Sequence, residues 1–511
     1  MINTLSKMLM KYFTTIFFLI IIDVSSFSQK HDYHWVFGNI NSKDRPEIGS
    51  TDMVFLGDSI DISKTQHSIN LFATNASICD KSGNLMFYTN GMFVINMEQD
   101  TIENGFGLNP GEVYDFNLDK GYSCPQGAII LPSLLEDSLY YLIHMRLLWD
   151  IDATVDALFY SKIDMRENGG KGKVMEKNKG ILCDDLAYGL VTAVKHANGR
   201  DWWIMKAQKY TNGYYGILFT PEGFQEPILQ NIGNDYGPND GRGQAVFSPD
   251  GSKYARYDII HDLQLFDFDR CSGELSNVVH VEINDFADTA WAAGGAAFSP
   301  NSRYLYIPSF TKLYQFDTEA ADLAASMVVV GEWDGFADPF ATTFYMATLG
   351  PDGKIYINAN NSAFYLHVIN QPDNAGLACD FQQHALKLPT YVQFGMPHFP
   401  NYRLGALEGS PCDSLAVEVS EEANSVDCKM AGTVFPNPTD HSFTLNYCII
   451  LGKKATFYLF DTTGRLVQKM KLEGEKEQHE VPITDWANGL YFYQVWENNQ
   501  LVYSGKVVVQ R

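Results

Sequence analysis

Three stretches in the middle of the chain echo one another at intervals of about fifty residues, and this repeat restricts the fold more than any other feature. They read AVFSPDGSKYARYD from Ala245, AAFSPNSRYLYIPS from Ala296 and ATLGPDGKIYINAN from Ala347. In each, a short apolar run meets a Pro-Asp or Pro-Asn turn and continues as an alternating run that carries tyrosine. Proline presets φ at the first turn position and Asp-Gly favours the positive φ that follows, so each copy predicts a hairpin. Further alternating runs come after it, such as LQLFDFD from Leu263, NVVHVEI from Asn277 and KLYQFD from Lys312. The unit is therefore about four antiparallel strands.

Looser copies extend the series backwards through NASICDKSGNLMFY from Asn75, QGAIILPSLLEDSLYYLIH from Gln126 and LVTAVKHANGRDWWIMK from Leu190. With Ser77, Ile129, Ala193, Val246, Ala297 and Ala347 as markers, the spacings are 52, 64, 53, 51 and 50 residues. Such a unit at this period predicts an all-β, seven-bladed β-propeller over residues 29–405, with six and eight blades left open. The next step lands on Pro397, whose segment has no partner strands after it, while YHWVFGN, DMVFLGD and INLFAT near the other end lack an inner strand. The two ends are expected to close one blade together, pairing the segment near Pro397 with the strand near Trp35. The wording FSPDGSKYA resembles the WD40-like repeats of TolB-type propellers. SICDKSGNLMFYTNG is similar to a segment common in exported bacterial proteins that join a propeller to a sorting tail. The resemblance implies a fold and no activity.

Residues 1–28 read as a secretory signal peptide, with Lys7 and Lys11 before the apolar run Tyr12 to Ile22. No later segment approaches the length of a membrane helix, so no transmembrane segment is expected once the signal is cleaved. Of the net charge of −24, residues 29–405 carry −20. Such a surface repels nucleic acid and anionic lipid. None of the eight cysteines forms a zinc-type cluster, and Cys412 with Cys428 is the one local disulfide pair the spacing suggests.

Residues 406–432 are rich in Ser, Ala, Gly and acids and read as a linker. Beyond it, SFTLNY, KATFYLFD, RLVQKMKL, HEVPIT, GLYFYQVWEN and YSGKVVVQ alternate apolar and polar between turn residues. They predict a small Ig-like β-sandwich over residues 433–511. The prolines of FPNPT would fix where its first strand enters. The order of its motifs closely resembles the type A C-terminal sorting domain of the type IX secretion system: Pro436, Asn437 and Pro438, then Asp461, Gly464 and Arg465, then Gly489, Leu490 and Tyr491, and finally Lys506. The resemblance implies export through the periplasm to the cell surface or medium, with the translocon and its sorting machinery as partners. An ordinary Ig-like adhesion module is the competing reading of the same residues.

No GxSxG, HExxH or Walker motif is present. Asp115, Asn117, Asp119 and Gly121 have the spacing of a calcium loop without its glycine and acid at the later places, and read better as a strand and turn. Asp267 and Asp269 read as a hairpin turn. The loops leading into the inner strands offer Tyr188, Asp240, Arg242, Asp288, Trp291, Asp338 and Tyr345. Aromatics beside carboxylates suit sugars or cationic groups, so these residues form a candidate ligand mouth. A binding or adhesion module, for a glycan or a surface protein, is the leading reading. A secreted carbohydrate-active enzyme, a lyase or glycosidase, is the alternative. No cofactor is implied, and whether a metal binds is left open.

Overall fold

The computed structural model describes residues 29–510 except 58, 151–152, 239, 284–292, 414–432, 448–454, 473–477, 484–485 and 498–499. The signal-peptide reading of residues 1–28 therefore lies outside the described residues.

The turns explain why the strands meander. In SPDG, Asp250 accepts from Ser248 Oγ at 2.6 Å and from the Ser252 amide at 2.9 Å, which ties the turn to its own side chain. Gly251 takes φ +75°, and a Cβ there would come within 2.8 Å of Arg270 and Val194. The close contacts make glycine necessary at this position, and the positive φ favours it. In the second copy, Ser302 adopts φ +65° in the corresponding place.

Antiparallel hairpins built this way give six sheets between His34 and Val392. The first has three strands, His34–Gly38, Ser50–Phe55 and Ile60–Thr65. The second has eight and consists of two four-stranded meanders, Ala76 to Phe106 and Ala128 to Leu186, joined by a parallel bridge between Glu103 and Lys173. The third, from Thr192, has five, and the sheets starting at Gly243, Ala297 and Phe344 have four each. All six marker residues fall on the first strand of a meander.

Successive sheets share buried cores. Val194, Trp203 and Tyr214 pack with Tyr254, Phe266 and Phe268 across the third and fourth sheets. Leu263 and Leu265 pack with Leu305 and Phe316 across the next pair, and Tyr306 and Leu313 with Phe344 and Ile357 across the last. Trp35, Phe37 and Met53 of the first sheet pack with Tyr356, Leu366 and Val392 of the sixth. The sheets therefore complete a circle, a β-propeller-like arrangement in which each four-stranded meander runs from an inner strand facing the axis to an outer one.

The closure departs from the expected ladder. Residues 69–74 and 393–400 form no strand, and no strand pairing joins the Pro397 segment to the Trp35 strand. Pro397 and Pro400 have no amide to donate, so the segment cannot supply an unbroken row of hydrogen bonds. It is held by single contacts instead. The Gly395 amide donates to Phe72 O, the His398 amide to Asn75 O, and the Asn75 side chain to Val36 O. The Phe399 ring stacks on Trp35 at 6.0 Å. A Cβ at Gly395 would lie 2.8 Å from the Ala73 carbonyl oxygen, so the chain passes there only as glycine.

The disulfide expectation is also corrected: Cys412 pairs with Cys271, 141 residues away, and not with Cys428. Local spacing suggested the wrong partner because residues 405–407 are held against the turns at Ala197 and Arg270, which puts Cys412 beside Cys271.

In residues 433–510, Thr433–Phe435, Ser442–Asn446 and Gln478–Pro482 form one sheet. Leu466–Leu472, Ala455–Phe460, Gly489–Glu497 and Gln500–Val509 form the other. Phe443, Leu445 and Val481 of the first sheet share one core with Phe457, Leu459, Tyr493 and Val507 of the second.

Candidate functional site

The inner strands enclose an axial space with two ends: an upper rim, where loops lead into these strands, and a lower rim, where the strands finish at the SPD, SPN and GPD turns. Between the two, side-chain amides cross the space. Gln126 donates to Ala245 O and accepts from the Ala245 amide, both at 2.9 Å, although the third sheet intervenes in sequence. Gln244 donates to Ala347 O and accepts from the amides of Ala296 and Ala347. His398 is sandwiched there as well, with Nε2 2.7 Å from Val191 O and Nδ1 3.3 Å from the Gln126 amide nitrogen. Burial pushes the His398 imidazole down to about 4, so at neutral pH it is an uncharged part of this barrier.

Below the barrier lies a cavity of about 310 Å³. Its walls come from the ends of the inner strands, with Val194, Val246, Ala297 and Ala347 lining it above the turn prolines Pro249, Pro300 and Pro351. The segment from His398 to Asn401 and Arg403 completes the circumference. Among the described lining residues Asp32 is the one carboxylate, and both its oxygens accept from Arg403 at 2.6 and 2.8 Å. The cavity is thus mostly apolar, and its charged pair is mutually neutralised.

The upper rim holds the residues singled out in sequence, and the structure brings several of them close. Tyr188 donates from its hydroxyl to Ser123 O at 2.5 Å and lies so near Gly241 that a Cβ there would meet it at 2.7 Å. Tyr345 is buried, near enough to Tyr188 to add to the upward push that burial gives the Tyr188 phenol. Burial pushes both phenols above their ordinary range. Asp240 is buried and pairs with the equally buried Arg256 at 2.5 Å, beneath which the Tyr236 ring lies 3.4 Å away. Arg242 is half-buried, with its backbone amide donating to Asp258 at 2.7 Å. Asp338 lies beside a cis bond to Pro339, and its amide donates to Phe340 O. Asp288 and Trp291 lie outside the described residues.

The same rim explains how its loops keep their shape. Lys206 reaches from the second strand of its sheet to donate to Ala187 O at 2.5 Å and to Gly189 O, on either side of Tyr188. Burial pushes this amine down to about 7. Burial alone would raise the Asp258 carboxyl, but the His261 hydrogen bond and charge and the Ile260 amide outweigh it and hold the group low. The upper rim is therefore a set of braced loops, whereas the cavity of about 310 Å³ lies at the lower rim. Sequence reasoning missed the lower cavity, although its signal was present: the repeated proline turns must all fall at one end of the ring.

The weaker motifs resolve simply. Asp115 belongs to a short helix, Glu112–Phe116, and Asn117 caps it through Val113 O, so the segment is a helical turn and not the expected strand. Asp269 closes the hairpin turn by accepting from the Cys271 and Gly273 amides. Among the described residues, no group of three or more His, Cys, Asp or Glu side chains is arranged to hold a metal. No helix among them is long and apolar enough to cross a membrane.

The sorting residues brace their own unit. Asn437 donates to Lys506 O at 2.9 Å and accepts from the Val508 amide at 2.8 Å, so one side chain fastens the first strand's end to the last strand. Asp461 accepts from the amides of Thr463 and Arg465 and from Arg465 Nε, which fixes the turn at Gly464. Tyr491 donates to Ala487 O just before the strand that begins at Gly489, where Leu490 is half-buried. Pro436 and Pro438 both follow cis bonds.

Together these features define an exported all-β protein: a propeller-like ring followed by a sorting unit. Residues 433–510 match the secretion system C-terminal sorting domain, which marks the chain for the type IX machinery and for secretion or the cell surface. No curated protein matches the sequence. Among solved structures, a functionally unknown protein from Desulfotomaculum acetoxidans is similar at 12% identity and a TM-score of 0.38, over 71% of this chain and 99% of that one. A putative 6-phosphogluconolactonase from Bacteroides uniformis shares 12% identity at a TM-score of 0.35, over 93% and 100%. A β-propeller domain from Myceliophteria thermophila shares 9% at 0.34, over 64% and 93%. At these scores none of them carries an argument about chemistry.

Proposed function

We propose that residues 29–405, with the first residues of the 406–432 linker segment packed back on them, are a seven-bladed propeller serving as a binding or adhesion module, and that residues 433–511 are an Ig-like sorting sandwich reached through the rest of that segment. On this reading each half of the eight-stranded sheet counts as one blade, and the three-stranded first sheet as another. The observation that carries the binding role is the lower cavity: about 310 Å³, walls that mix apolar side chains with Thr192, Gln244 and Asn401, and a neutralised ion pair suit part of a small uncharged ligand or of a partner's side chain. The upper-rim residues Tyr188, Asp240, Arg242 and Tyr345 then shape the ring's other face. Glycoside hydrolysis on a propeller needs two carboxyl groups flanking the substrate. The carboxylate in the cavity lining, Asp32, is already held by Arg403.

The test is a glycan and protein array probed with the mature chain, residues 29–511, beside a Val246→Phe variant that fills the cavity. A ligand signal that falls at least tenfold in the variant supports the reading. A signal untouched by Val246→Phe but lost in Arg242→Ala moves the site to the upper rim, and release of cleaved glycan in place of retention returns the enzyme alternative.

A further inference from the structure

Residues 393–412 have no strand of their own, yet they finish both the ring and the cavity. The run crosses from the first sheet to the lower ends of the third and fourth. Arg403 holds Asp32, Tyr402 donates to Ile130 O at 2.7 Å, and Asn401 donates to Pro249 O at 2.7 Å. Arg270 then binds Lys195 O, His196 O and Gly405 O, so one guanidinium ties the third sheet's turn to the passing chain. The Leu407 amide donates to Ala197 O at 2.8 Å. Five residues on, Cys412 is bonded to Cys271, the neighbour of Arg270 in the same turn.

We propose that residues 393–412 are a strap closing the ring and walling the lower cavity, and that the Cys271–Cys412 disulfide locks it after the chain leaves the reducing cytoplasm. Isolated hydrogen bonds open one at a time, whereas a ladder opens cooperatively, so a strap without a ladder needs a fixed far end. A cross-link spanning so long a loop removes much of the freedom of the open chain. Position matters too. Residues 414–432 of the linker follow just after Cys412 in sequence, so a cut among them would create an end just beyond Cys412. Fraying from that end would stop at the bond.

Locking requires an oxidant, here a disulfide-bearing thiol–disulfide oxidoreductase outside the cytoplasm. One cysteine thiolate attacks the oxidant's disulfide, breaking that S–S bond and forming a mixed disulfide. The second thiolate displaces the oxidant, so two electrons and two protons pass from the thiols of Cys271 and Cys412 to the oxidant, which leaves as a dithiol.

Hydrogen exchange on the mature full chain reads the lock directly, comparing the native protein with a Cys271→Ser, Cys412→Ser double variant. Because Cys183 is disulfide-bonded as well, adding reductant is not selective. The amides of Gly395, His398 and Leu407 are expected to exchange at least tenfold faster in the variant, with those of Lys253–Asp258 unchanged. Cleavage in the linker should widen the difference. A double variant that does not fold at all would overturn the proposal, since the bond would then hold the whole ring and not the strap. Equal strap protection in both proteins overturns the proposal. Parallel loss from strap and sheet also overturns it, since the bond would then be a general staple. The consequence for ligand rests on the cavity reading, but the exchange measurement does not, so a failed array leaves this test intact.

Discussion

The ring and the C-terminal unit both join a terminal segment to distant strands, and they do it in opposite ways. In the C-terminal unit one asparagine imitates the backbone: Asn437 gives and takes a hydrogen bond with the last strand, and Thr439 continues the contact through Val508 O and the Gln510 amide. The residues responsible sit in a fixed order of motifs. In the ring, the terminal segment is held by a scatter of carbonyls, an ion pair, a stacked ring and a disulfide. A closure that repeats backbone geometry leaves a motif. A closure assembled from single contacts leaves none, because each contact depends on where another part of the chain happens to lie.

The widest separation between the two regions is expected from removing residues 433–511. Each region has its own core, so the ring should keep its melting temperature to within about 2 °C, while the amount reaching the surface or medium falls at least tenfold on cell fractionation. Undiminished export would break the division of labour and favour an adhesion role for the tail.

Acid should act on the ring through its barrier. An ordinary histidine titrates near 6.5, and His398 is held to about 4 by burial. Above 6.5 both the folded and unfolded forms are neutral and the full stability is present. As pH falls from 6.5 towards 4 the unfolded chain takes a proton that the folded one refuses, which costs about 3 kcal/mol by the lower limit. His144 and His367 are shifted in the same direction. The informative measurement is therefore the difference in denaturation slope between the native chain and His398→Gln, and equal slopes would remove His398 from the explanation.

Smaller effects sharpen the contrast between amide crossings in the two regions. Gln126→Leu strands the amide and carbonyl of Ala245 inside the ring, for a loss of about 2 kcal/mol in chemical denaturation of the ring. Asn437→Ala removes the equivalent pair from an exposed position, where water can replace it. About 1 kcal/mol is expected, confined to the transition of the C-terminal unit. If Asn437→Ala costs as much as Gln126→Leu, burial is not what distinguishes the two closures.

Much of this architecture was legible without coordinates. The Pro-Asp-Gly turns and the alternation around them fixed where strands begin, and all six inner-strand markers were found on first strands. In the C-terminal unit the six segments read from alternation coincide with strands, joined by a short one at Thr433–Phe435. These features are local, since turn geometry and side-chain alternation act over a few residues. Partnership was not legible. Cys412 had a plausible neighbour in Cys428 and bonded elsewhere. Among the upper-rim candidates, Tyr188 and Asp240 turned out to bind a carbonyl and an arginine that hold loops, which no spacing announces.

What the sequence determined by itself is therefore the repeating strand unit, the turns that end it and the sorting signature, because each follows from backbone preferences and contacts between near neighbours in the chain. The tertiary structure alone decided how the circle closes, which distant residues wall the cavity and which charges neutralise one another. Asp32 and Arg403 are separated by 371 residues, and Gln126 and Ala245 by 119, yet each pair lies within hydrogen-bond distance. Contacts between such distant residues exist only after the sheets have stacked, so their chemistry belongs to the packed ring and not to any stretch of its sequence.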